Sequence, residues 1–139
     1  MRRVVATALL AISAASHACD GLEISEAWIR EAPPGADVMA GYATLHNAGK
    51  ESITIDGARS GDFGSVDIHR MSMENGTMRM RAEPRLLLEP DATVRLEPGA
   101  LHLMLVGPKR ALKAGDHVAL KVDCGRRSKA VDFIVRGQE

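Results

Sequence analysis

Aromatic residues are almost missing from this chain: one Trp, one Tyr and two Phe, 3% of 139 residues. A core so poor in rings must be aliphatic, built from Val, Ile, Leu and Ala. Cysteine is as scarce. Cys19 and Cys124 are the only two, and no histidine stands near either at a familiar metal-site spacing. There is no excess of charge of one sign, with 18 basic against 18 acidic residues, so neither nucleic acid nor an anionic membrane has an electrostatic partner here. No apolar run reaches the roughly 20 residues that a membrane-crossing helix needs. Paired carboxylates, a nucleophile beside a base and a glycine-rich phosphate loop are also lacking, which points away from an enzyme.

What is present fits one folded domain: 45% apolar and 26% charged residues over a length too short for two ordinary domains. The first residues, MRRVVATALLAISAASHACD, place Arg2 and Arg3 before an apolar stretch from Val4 to Ala15. Ser16-His17-Ala18 then sets small residues at −3 and −1 of a cut before Cys19. This pattern is a secretory signal peptide over residues 1–18, with a functional domain over 19–139 and no membrane span in the mature chain. Removing Arg2 and Arg3 leaves 16 basic against 18 acidic residues, a net charge of −2. In an exported chain two cysteines suggest a disulfide, Cys19 to Cys124. The rival is a lipid on Cys19, although Ser-His-Ala lacks the Leu usual at −3 of a lipoprotein signal.

After the signal no segment keeps a 3.6-residue apolar period. Short alternating runs are cut by Gly, Pro, Asn and Asp about every ten residues, the pattern of an antiparallel β-sandwich or barrel. Nine strands are expected, at 22–28, 38–46, 52–60, 64–71, 77–81, 93–96, 101–106, 117–122 and 130–135.

The stretch HRMSMENGTMRM, residues 69–80, holds four of the seven methionines. Asn75-Gly76 is a strong two-residue hairpin signal, because a type I′ turn needs positive φ at both positions. Such a turn sets Glu74 opposite Thr77, Met73 opposite Met78 and Met71 opposite Met80. His69 then lies diagonal to Met80, and all four methionines share its face. In Leu101-His102-Leu103-Met104-Leu105 the leucines claim the core, so His102 and Met104 point the other way. Packing at a core edge is one account of such methionines. The other is metal: thioether sulfur is soft and uncharged and selects Cu(I), or Ag(I) as its mimic.

The spacing His69, ten residues, Met80, twenty-one residues, His102, one residue, Met104 resembles the H-x10-M-x21-H-x-M signature of the PCu(A)C copper chaperones. AWIREAPPGA (27–36), AGYATLHNAG (40–49), MENGTMRMR (73–81) and PGALHLML (98–105) are similar to that family too, so the likeness runs over residues 22–136. The resemblance implies a single Greek-key, cupredoxin-like β-sandwich in the periplasm. It implies one Cu(I) per chain, held by His69, Met80, His102 and Met104. It also implies a metallochaperone that works with a copper donor or acceptor protein and supplies the dinuclear copper centre of cytochrome c oxidase. An electron-transfer cupredoxin would need a thiolate followed by His or Met, and GRRSKAVDF after Cys124 has neither. A copper-tolerance protein would use the same ligands. A non-metal assembly module would bury the methionines.

Overall fold

The computed structural model describes residues 18–138, so residues 1–17 of the expected signal peptide lie outside the described part. Eleven strands form without a helix among the described residues: β1 Leu22–Arg30, β2 Val38–Asn47, β3 Ile53–Ile55, β4 Gly57–Arg59, β5 Phe63–Glu74, β6 Thr77–Ala82, β7 Leu86–Leu88, β8 Thr93–Leu96, β9 Leu101–Pro108, β10 His117–Cys124 and β11 Arg127–Arg136. Seven of them close on themselves in the order β1-β11-β10-β4-β5-β9-β2, because β2 pairs back to β1. β8 extends from β2, β6 extends from β5, and β3–β7 makes a separate two-stranded sheet. This is the expected all-β, cupredoxin-like class. All pairings are antiparallel except β1 against β11, which run parallel and bring the two chain ends of the fold side by side.

Alternation decides which side chains enter the core. Leu101, Leu103 and Leu105 of β9, Val66 and Ile68 of β5, Val118, Leu120 and Val122 of β10, and Phe133 and Val135 of β11 all lie in one buried cluster. Gly41 of β2, opposite Leu103, is where β2 meets this layer: a Cβ there would come within 3.0 Å of Leu105 Cδ1.

Three details differ from the sequence expectation. The run 52–60 breaks at Asp56 into β3 and β4, which belong to different sheets. β7 is an additional strand, Leu86-Leu87-Leu88, whose outward residue is also a leucine, so its alternation is invisible in the sequence. β1 carries a bulge between Ser25 and Trp28, with Glu26 at φ 52°. One extra residue inverts the strand's parity: Leu22 and Ile24 point inward before it, Ala27 and Ile29 after it. Trp28 is therefore turned outward, where its ring lies 4.7 Å from that of Tyr42 and beneath the guanidinium groups of Arg30 and Arg136.

The two cysteines are joined. Cys19, just before β1, forms a disulfide with Cys124 at the end of β10, across 105 residues of chain. Of the two fates left open for Cys19, this structure contains the disulfide.

Candidate metal centre

The hairpin forms as its turn dictates. Asn75 and Gly76 have φ of 50° and 77°, and the register pairs Glu74 with Thr77, Met73 with Met78, and Met71 with Met80. On its other side β5 pairs with β9, which puts His69 directly opposite His102 and Asp67 opposite Met104. Since side chains alternate, His69, Met71, Met73, Met78, Met80, His102 and Met104 all lie on the face turned away from the leucines.

The two imidazoles come together, with ring centroids 5.9 Å apart. His102 is 6% exposed although it belongs to the non-core face. Its Nδ1 lies 3.2 Å from the carbonyl oxygen of Ala100. A carbonyl can only accept, so this bond places a proton on Nδ1, and in the neutral ring it leaves the lone pair to Nε2. An imidazole oriented in this way is the usual arrangement of a metal-binding histidine. Nδ1 of His69 is buried and has no hydrogen-bond partner. Such a deficit costs roughly 1–3 kcal/mol, and coordination of a cation to the ring is one way to offset it.

The thioethers are placed less tightly. Met104 is half-buried and lies diagonal to His69 through the Asp67–Met104 pair. Met80 is diagonal on the other side, beyond the small Ala82 that stands opposite His69, and is 45% exposed. The structure thus assembles the two histidines and leaves the two methionines flanking them at opposite corners. None of these methionines belongs to the buried cluster or to the residues packed against it, whereas Met39, 5% exposed, does. Among the described residues methionine serves as core filler once, at Met39, and not on this face.

The donor set is selective by composition. No three His, Cys, Asp or Glu side chains among the described residues are arranged to hold a metal ion, and the further donors beside the histidine pair on this face are methionine sulfurs. Two imidazoles and two thioethers suit a soft monovalent ion better than Zn²⁺, Mg²⁺ or Ca²⁺. Sequence reasoning had no means of locating the Ala100 carbonyl that orients His102, nor the Arg30–Trp28–Tyr42 stack on the outer surface.

A cupredoxin-like sandwich with a histidine pair and a methionine-rich hairpin on one outer face is the class that fold and site define. The chain belongs to the family described as "Putative lipoprotein LpqE-like", whose model matches residues 22–132. A protein of Leifsonia xyli subsp. xyli described as a "putative lipoprotein" is 30% identical over 102 residues, and a Rickettsia prowazekii protein is 32% identical over 76. The chain spans 60% and 42% of the length of these two relatives. Among solved structures, the solution structure of Cu(I)-bound DR1885 from Deinococcus radiodurans is 27% identical, with a TM-score of 0.68 over 91% of this chain and 85% of that one. The copper-bound PCuAC domain of PmoF2 matches with a TM-score of 0.72 at 21% identity, over 85% of this chain and 94% of that one, a likeness of fold. The PCu(A)C resemblance read from the residues is therefore matched in three dimensions. No helix among the described residues is long and apolar enough to cross a membrane.

Proposed function

We propose that this protein is an exported Cu(I) metallochaperone that carries one ion on His69, Met80, His102 and Met104. Its task on this reading is to supply copper in the periplasm for assembly of the dinuclear copper centre of cytochrome c oxidase. The observation that carries the proposal is the paired His69 and His102, one with an unpartnered buried nitrogen and one whose neutral ring leaves the lone pair to Nε2, set in a face of methionines that the core does not use. The copper-bound relatives support the choice of ion. Copper is cargo here, so a half-exposed Met80 serves the role: a ligand reachable from solvent can be exchanged for a partner's ligand without unfolding the site. Thioethers need no deprotonation, so the ion's hold on sulfur is independent of pH, while protons compete for the imidazoles.

A competition titration with a chromophoric Cu(I) chelator under reducing conditions tests this. One tight equivalent is expected. Met80→Leu, Met104→Leu and His102→Ala should each weaken it at least tenfold, with Met80→Leu leaving the melting temperature nearly unchanged because leucine keeps the bulk. Absence of competition, or a loss of binding that only follows a loss of stability, would overturn the reading.

A further inference from the structure

We infer that Met71, Met73 and Met78 form a second, sulfur-only site for a soft monovalent cation, Cu(I) or Ag(I), at the free end of the β5–β6 hairpin. The inference rests on the proposed copper role but concerns residues outside the four-ligand set. Pairing of β5 with β9 ends at Arg70–Leu101, and Met71 N–H makes a last bond to the Ala100 carbonyl. Beyond that point the hairpin continues without β9 as a sheet neighbour, and its methionines stay outside the buried cluster.

Within that free part Met73 stands directly opposite Met78, and Met71 is two residues back on the same strand. Directly opposed residues in an antiparallel pair have Cβ atoms about 4.5–5.5 Å apart, well within the reach of two thioether side chains. Met73 and Met78 are 64% and 48% exposed, and no core residue packs against them. Folding does not require apolar side chains there, and an edge strand is where they carry the greatest risk of association.

The hairpin is also held in shape from behind. Glu74 accepts hydrogen bonds from Nε and Nη2 of Arg81 at 3.0 and 2.9 Å, and Arg79 approaches it to 3.7 Å. Arg70 donates to Glu83 at 3.1 Å. Arginines and carboxylates thus occupy one face, and beyond His69 and Ala82 the other carries only methionines. Three neutral, soft donors select Cu(I) or Ag(I) over harder cations. Met71 faces Met80 across the ladder, so an ion on the outer sulfurs is one step from the histidine-lined site.

The test uses Ag(I), which does not change oxidation state, titrated into protein labelled with ¹³C at the methionine methyl groups. Met80 and Met104 should shift with the first equivalent, and Met71, Met73 and Met78 with a second, weaker one. Met73→Leu with Met78→Leu should abolish the second equivalent and leave the first unchanged. If Met80 and Met104 respond but the hairpin-end methyls stay still, or if the double variant keeps its second equivalent, this inference fails and the four-ligand reading stands. If Met80 and Met104 do not respond either, both fail.

Discussion

At the scale of single residues, chemistry and support are carried by different polar groups. His69 and His102 are the polar groups that the site leaves available, and Asn47 is the one that the fold consumes. Asn47 is fully buried, with Nδ2 donating to the carbonyls of Glu51 and Leu88 at 2.7 and 3.0 Å and Oδ1 accepting from Gly49 N–H at 2.9 Å. Its own backbone pairs with Ala92 and Asp91. Asn47→Ala would strand the buried Leu88 carbonyl and the partly buried Glu51 carbonyl and is expected to cost about 2 kcal/mol, read as a lower midpoint in denaturant with copper affinity unchanged. In the sequence Asn47-Ala48-Gly49 reads as a strand break, and nothing marks it as a hub, because its partners lie 4 and 41 residues away. By contrast, the outward placement of His102 and Met104 was legible, since three alternate leucines leave only one face for them.

Among the elements, the β5–β6 hairpin was the most readable, while β7 and the bulge in β1 were hidden. A two-residue Asn-Gly turn fixes register locally, so every cross-strand pair followed from the turn. The β1 bulge, in contrast, follows from no local composition: Glu26 adopts positive φ without being glycine or asparagine, and the parity of Trp28 inverts with it. The loops are tied by ion pairs that sequence spacing conceals as well. Arg110, after β9, donates to both carboxylate oxygens of Asp62 at 2.9 and 3.2 Å and to the His117 carbonyl at 2.8 Å. The hydrogen bond from Arg110 is the main cause that holds the Asp62 carboxyl below its ordinary range. A carboxyl depressed in the folded state stabilises at pH above the unfolded value, and that contribution fades as pH falls through the folded value. Arg110→Ala should therefore lower the melting temperature at pH 7, and the gap to wild type should narrow below about pH 4. It should not close fully, since the bond to the His117 carbonyl does not titrate. A gap independent of pH would assign the effect to that bond alone.

For the whole molecule, closure of seven strands leaves the sandwich few open edges, and the disulfide fastens the segment before β1 to β10. Linking residues 105 apart removes chain entropy from the unfolded state worth at most about 4–5 kcal/mol, and commonly less. Cys19→Ser with Cys124→Ser is expected to lower the midpoint of unfolding clearly while the Cu(I) affinity stays the same, because both sulfurs belong to or pack against the buried cluster and not to the proposed copper face. Equal stability of the two forms would show that the closed strands alone hold the fold. The pairing itself was only one of two fates that the cysteine count allowed.

The disulfide has one more consequence. Both cysteine sulfurs are spent in a single bond, and the chain has no free thiol. A thiol is the side chain best able to give an electron to Cu(II), and thioethers do not replace it in that reaction. On the proposed reading the protein brings no thiol electron of its own, so a Cu(II) ion would need a reductant from outside the chain to become the Cu(I) that thioethers favour.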